Sequence, residues 1–212
     1  IEHSSKVIDH PNQMYALSPA NQMYTSEMTF FDYMWNYDLA TETIWQVGFT
    51  ETSYGGALGS VFLNFTTDYY YFYPDYVPAQ WVLDLYDQND MRYGSYFYTA
   101  QTGYDHALTW PLLVKYYGNR NYISSRYLYH VSMPKPFRLA EQYLIRAEAY
   151  CRQSNPDFSK ASADMNTLHA ARYLSGGQVN LTKDNYIEQI ADERVRELYM
   201  EGFRLNDLKR WG

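Results

Sequence analysis

The side chains best equipped for chemistry in this chain are aromatic, and many lie in irregular sequence. Trp35, Tyr37 and Tyr54 precede a run of Tyr69, Tyr70, Tyr71, Tyr73 and Tyr76, interrupted by Phe72, Pro74 and Asp75. A flat ring with a polar edge offers a large contact area at a small entropic cost. The apolar C–H face of a sugar lies on such a ring while the phenol hydrogen-bonds a hydroxyl. Each of these residues also has a plainer reading, as packing or bare surface, and the sequence does not choose between them. Trp45 and Trp81 fall in regular segments and read as core. Asn64, Asp68, Asp75 and Gln101 are polar neighbours that could orient hydroxyls.

Other chemistries find weaker support. Glycosidases need two carboxylates facing each other across a cleft. Asp84 and Asp87 share a helix face and Asp90 is close, but such a group reads first as a solvated face or a cap. No Gly-x-Ser-x-Gly elbow, His-Glu-x-x-His helix or phosphate-cradling glycine loop occurs, and Asp87-Gln88-Asn89-Asp90 lacks the spacing of an EF-hand loop. The histidines (His3, His10, His106, His130 and His169) are scattered, without the helical spacing of metal ligands. The single cysteine, Cys151, excludes an internal disulfide and a cysteine-type zinc site, and reads as a buried small hydrophobe. Two sequons, at Asn64 and Asn180, read as chance matches.

These side chains must be held by 212 residues with a net charge of −7 and 19% aromatic content. The acidic balance argues against nucleic acid as a partner, since phosphates need a basic face. Mean hydropathy is −0.54, and no apolar stretch approaches the ~20 residues of a spanning helix. Two compositions meet at Met133-Pro134-Lys135-Pro136. Residues 1–133 are loop-rich and aromatic, the expected ligand-binding segment. They carry a short helix over 28–37, a strand over 42–49 and a helix over 78–87. Residues 134–212 are periodic and helical.

In that second segment a helix is expected from Pro136 to Arg152, burying Leu139, Ala140, Tyr143, Leu144, Ala147, Tyr150 and Cys151. Arg138, Glu141, Gln142, Glu148 and Arg152 fall on its other side. A second helix follows an Asn155 cap with Pro156 in its first turn, and ends near Gly176 and Gly177. A third spans about 182–200, and a short one 204–211. Arg194 interrupts the apolar stripe of the third helix, where a guanidinium needs partners. Glu148, Glu197 and Glu201 are the candidates, and a packing ion pair is the expectation. Ala147 and Tyr150, with Ala161 and Met165, resemble the small and aromatic positions of tetratricopeptide helices. Only one and a half such repeats are legible.

Several segments together resemble the SusD/RagB family of outer-membrane nutrient-binding lipoproteins. Asp38-Leu39-Ala40-Thr41-Glu42-Thr43-Ile44-Trp45 is similar to the family's acidic turn and following strand. Residues 78–92, from Pro78 to Asn89-Asp90-Met91-Arg92, resemble a helix closed by an Asp-x-Arg signature. Arg138-Leu139-Ala140-Glu141-Gln142-Tyr143-Leu144-Ile145-Arg146-Ala147-Glu148-Ala149 resembles its alanine-and-glutamate helix. The most specific stretch is Glu193-Arg194-Val195-Arg196-Glu197-Leu198, with Glu201-Gly202-Phe203-Arg204 and Asp207-Leu208-Lys209-Arg210-Trp211-Gly212. His169, Phe203 and Leu205 depart from the family's usual residues.

The resemblance implies a mainly α fold: tetratricopeptide-like helical pairs with a loop-rich, aromatic segment packed on them. It implies no catalytic residues and no cofactor or metal. The implied function is oligosaccharide binding at the surface of the outer membrane, in partnership with a SusC-like TonB-dependent transporter that receives the glycan. Glu148, Glu193, Arg194, Glu197, Arg204, Asp207 and Arg210 then read as architecture. Because family members are longer, the chain is expected to be part of one such fold, with signal peptide and lipid anchor outside it. A tetratricopeptide-type protein-interaction scaffold is the alternative.

Overall fold

The computed structural model describes residues 1–68, 70–103 and 108–212. Helix α1 (Glu2–Ile8) is followed by α2 (Phe30–Tyr37). Thr29 starts α2 through a reciprocal capping box. Its Oγ1 accepts from the Asp32 N–H at 3.0 Å, and the Asp32 carboxylate accepts from the Thr29 N–H at 2.9 Å. This satisfies two donors that a helix start would leave unpaired. Asp38 ends the helix in the left-handed conformation, with φ 57°. Its carboxylate is buried against Lys135 Nζ at 2.5 Å and Asn119 Nδ2 at 2.9 Å.

The elements that follow are short: β1 (Thr43–Trp45), α3 (Ser60–Leu63), β2 (Phe65–Thr66), β3 (Tyr71–Phe72), α4 (Gln80–Leu83) and α5 (Arg92–Tyr96). The expected strand over 42–49 contracts to β1. The expected helix over 78–87 contracts to the single turn of α4. Strands β4 (Phe97–Gln101) and β5 (Thr109–Leu113) form the longest ladder, antiparallel from Phe97 opposite Leu113 to Gln101 opposite Thr109. Helix α6 (Arg120–Arg126) is capped by Asn119, whose side chain accepts from the Asn121 N–H.

Strand β6 (Phe137–Arg138) then pairs with β1, and three helices follow: α7 (Leu139–Cys151), α8 (Phe158–Ala170) and α9 (Tyr186–Glu197). Helix α10 (Arg204–Trp211) occupies its expected residues. The two prolines before α7 leave Phe137 and Arg138 extended, so α7 starts later than expected. Asp157 caps α8 in place of Asn155, its side chain accepting from the Lys160 N–H. Gly176 and Gly177 are left-handed, at φ +72° and +70°, but lie beyond the helix end.

Two apolar clusters result. One gathers Phe31, Met34, Trp35, Leu63, Tyr96, Leu112 and Leu113, with Val195 of α9. The other joins α7, α8 and α9 through Leu144, Ala147, Ala161, Met165, Leu168 and Ile190. The sequence assigns Trp45 and Trp81 to the core, but both are more than half exposed. Trp45 lies against Phe137 on the outside of the β1–β6 pair.

Between the clusters lies a buried ionic network. Glu197 meets Arg92 at 2.9 Å, Arg138 at 2.8 Å and Arg172 at 2.9 Å. Arg92 also pairs with Asp90 at 2.7 Å and Glu193 at 2.6 Å, and Glu42 holds both Arg138 and Arg172. Glu201 pairs with Arg138 at 2.7 Å and Lys115 at 2.6 Å. Burial opposes the charge on Glu197, but Arg172, Arg138 and Arg92 outweigh it and hold the carboxyl far below its usual range. Thus Arg138, expected on the solvent side of its helix, is among the most enclosed side chains. Glu141 and Glu148, placed on that same side, are buried too.

Candidate glycan-binding groove

The β4–β5 ladder places a groove of about 460 Å³ on the aromatic half of the chain. Strand alternation buries Phe97 and turns Tyr98 outward, leaving it 62% exposed. Tyr117, beyond β5, is 43% exposed and meets His130 edge-on at 5.9 Å between ring centroids. Phe72 of β3 completes the aromatic lining, with Leu63 and Val114 beneath.

The polar wall comes from α2 and α6. Asp32 and Asn36 are four residues apart and so share one helix face. Arg120, at the start of α6, donates its Nε to Asn36 Oδ1 at 3.0 Å, tying the two helices together. Asn36 Nδ2 donates to the Asp32 carbonyl at 2.8 Å. Glu27 stands exposed at the rim. Gly94, exposed on α5, is also part of the lining, and an added Cβ there would meet nothing within 4 Å. Aromatic faces beside planar polar groups suit a ligand with apolar ring faces and hydroxyl edges.

The aromatic residues singled out by the sequence behave differently from one another. Trp35 is a correction: it is 4% exposed, in α2 rather than a loop. Its ring is packed edge-on against Phe31, Tyr96 and Tyr116, with Lys115 Nζ 4.3 Å from its centroid. No face remains for a ligand. Tyr71 is half-buried against Gly103, where any side chain would collide with its ring. Tyr54, Tyr70, Tyr73 and Tyr76 are exposed, Tyr70 by 80%. Tyr69 lies outside the described residues. In this segment Phe72 lines the groove, while Tyr71 and Tyr73 approach each other at 6.3 Å. Sequence reasoning passes over Tyr98, Tyr117, Asn36 and Arg120. The available signals were the Tyr96-Phe97-Tyr98 alternation and the Asn119 cap.

The acids and arginines that carry the family resemblance in the second half hold one another. Arg194 Nε donates to Asp207 Oδ2 at 2.7 Å. This corrects the expectation of Glu148, Glu197 or Glu201. Glu197 and Glu201 are engaged by the buried network, and Glu148 binds Arg152 at 2.7 Å and Arg210. Arg210 also reaches Asp207 at 2.9 Å. Glu193 receives Arg92 and Arg196 and faces His169 Nε2 at 3.0 Å. Arg204 differs from these, standing exposed over the Trp211 ring. Asp84, Asp87 and Asp90 are each engaged by local partners. Asp84 accepts from Gln80, Asp87 from the Asn89 and Asp90 N–H groups, and Asp90 from Arg92.

Residues 61–212 match the SusD family (SusD_RagB). The chain belongs to the SusD family. Among curated proteins, the starch-binding protein SusD of Bacteroides thetaiotaomicron is 40% identical over 76 residues, 36% of this chain and 12% of that protein. Solved structures share the fold. A SusD superfamily protein of B. thetaiotaomicron aligns over all of this chain and 45% of its own, at 20% identity and TM-score 0.72. A SusD-like carbohydrate binding protein of Bacteroides vulgatus aligns over 99% of this chain and 40% of its own, at 24% identity and TM-score 0.66. Surface glycan-binding protein A of B. thetaiotaomicron, solved with laminarihexaose, aligns over all of this chain and 49% of its own, at 19% identity and TM-score 0.66. The chain therefore spans less than half the length of each of these proteins. Proteins of the SusD family bind rather than catalyse.

Proposed function

We propose that this chain binds an oligosaccharide without transforming it, in the groove between Tyr98, Tyr117 and the Asp32–Asn36–Arg120 wall. The observation that carries the reading is two exposed tyrosine rings lining one groove with fixed planar polar groups, in a chain of the SusD family. The rings would stack on sugar faces, and Asn36, Arg120 and Glu27 would meet hydroxyls. The exposed Tyr54, Tyr70, Tyr73 and Tyr76 are candidates for contacts with a longer glycan. Within the whole protein, the bound glycan would pass to a SusC-like TonB-dependent transporter, from a lipid-anchored position at the outer-membrane surface.

Calorimetric titration with starch, plant-glucan and host-glycan oligosaccharides tests the reading. One glycan class should bind, and Gly94→Phe, which sets a bulky ring on the groove lining where an added Cβ has open space, should abolish the heat. Binding that Gly94→Phe leaves intact would move the site elsewhere. Silence across the whole panel would overturn glycan binding by this chain.

A further inference from the structure

A second cleft lies on the helical half, away from the aromatic groove. Helices α7, α9 and α10 enclose about 430 Å³ there. Two buried charged groups border it without full satisfaction. Arg194 is 5% exposed and, among the described residues, its side chain makes a single hydrogen bond, from Nε to Asp207, while its buried Nη1 has no partner there. Glu141 is 7% exposed and has neither a hydrogen bond nor an ion pair among the described residues. Both line the cleft without forming an ion pair with each other. A buried guanidinium left this way is costly, and native structures supply such groups with partners, while the Glu141 carboxyl oxygens stay open to whatever enters the cleft.

The remaining charges of the cleft are already matched. Arg210 bridges Glu148 and Asp207, and Arg152 pairs with Glu148. The lining thus carries three guanidinium groups and three carboxyl groups. An anionic guest would gain Arg194 but meet the carboxylates, and a cationic guest would face the reverse. A neutral guest avoids both penalties. It must accept a hydrogen bond at one end and donate one at another, and it must tolerate the apolar flank of Ile145, Ala149 and Phe203. A polyol brings surplus hydroxyls against that flank. An amide with an alkyl substituent does not.

We propose that this cleft is a binding site for a neutral secondary amide, whose carbonyl accepts from Arg194 and whose N–H donates to Glu141. The alkyl end of the amide lies against Ala149 and Ile145. Two sources carry this chemistry: the acetamido group of an N-acetylated sugar and a peptide bond.

The test is an NMR titration of the whole chain at pH 8 with three probes: N-acetylglucosamine, N-acetylalanine methylamide and glucose. Two variants accompany it. Ala149→Leu fills the cleft without touching its charges, and Glu141→Leu removes the acceptor. At least one amide should shift the Ala149 and Phe203 resonances, with a dissociation constant on the order of 1–10 mM. Each variant should weaken that binding about tenfold or more, with the rest of the spectrum unchanged. Response to the sugar alone assigns the site to acetamido glycans, response to the peptide probe alone to a polypeptide segment, and response to both to the amide itself. Glucose binding as well as the amides, no response to either amide, or an amide response that survives Ala149→Leu overturns the proposal. Such a failure leaves the aromatic groove untouched, because Gly94→Phe tests that site separately.

Discussion

Arg138 Nη1 lies 2.8 Å from Glu197 Oε1, and both side chains are withdrawn from solvent. The same carboxylate also receives Arg92 and Arg172. A charge this deeply buried is tolerated only while its partners remain. Glu197→Ala should therefore destabilise the chain by about 3–5 kcal/mol, the range for breaking a buried pair. Urea unfolding measures it, with Glu197→Gln as the isosteric companion. A loss under about 1 kcal/mol for Glu197→Ala would show that water replaces the carboxylate at little cost.

Tyr98 projects from β4 and supports little of the core. Tyr98→Ala should leave the thermal midpoint nearly unchanged, as surface substitutions do. It should weaken glycan binding by about 1–2 kcal/mol, or roughly 5- to 30-fold, the scale of an aromatic anchor. Tyr117→Ala should act similarly. Equal affinity for wild type and both variants would remove these rings from the site.

Glu141 gives a pH signature. Burial pushes its carboxyl up to about 7 against the pull of Arg194 and Arg138, with Glu201 and Asp207 adding to the rise. A raised folded pKa means that the folded state holds a proton the unfolded chain has released. The resulting stability is fully present below about 4.5 and is lost as pH rises through about 7. Glu193, Glu197 and Glu201 act in the opposite sense: their lowered values contribute stability above the usual carboxylate range that is lost in acid. His169, raised by Glu193 despite its burial, loses its contribution as pH rises past its ordinary value. Glu141→Gln should flatten the stability profile between pH 4.5 and 7 while leaving acid unfolding in place. Superimposable profiles for variant and wild type would contradict an elevated Glu141.

Arg194→Ala removes the single hydrogen bond to Asp207 but leaves Arg210 on the same carboxylate. The expected loss is about 1.5–3 kcal/mol, the range for a hydrogen bond to a charged group. Glycan preference in the aromatic groove should not change. A thermal midpoint equal to wild type would show that Arg194 contributes nothing to packing, and a changed glycan ranking would couple the two halves.

Local signals carried much of the helical half. The short helix expected over 204–211 is α10, and the stripe through Leu144, Ala147 and Cys151 placed α7. The same periodicity misplaced Arg138, Glu141 and Glu148. Period alone sorts residues by hydropathy, whereas Arg138 is buried because Glu42 and Glu197 come from distant segments to meet it. The groove was hidden for the same reason. Tyr98, Tyr117 and Asn36 share a surface only after β4 pairs with β5 and Arg120 reaches α2. Trp35 stood out by residue type, but its side of α2 faces the core.

The buried ionic network also has a kinetic consequence. Arg92 lies 105 residues from Glu197, Arg138 is 96 from Glu42, and Arg172 is 130 from Glu42. Local helices form within about a microsecond, while such distant pairings wait on loop closure. Until all these segments arrive, each arginine keeps its water, because a half-assembled cluster would strand bare charge in the interior. The last step is then expected to be all-or-none, because the segment bearing Glu197 gains nothing by docking before its arginines and out-of-register docking would leave bare charge buried. On that expectation the ionic network acts as a late test of correct assembly.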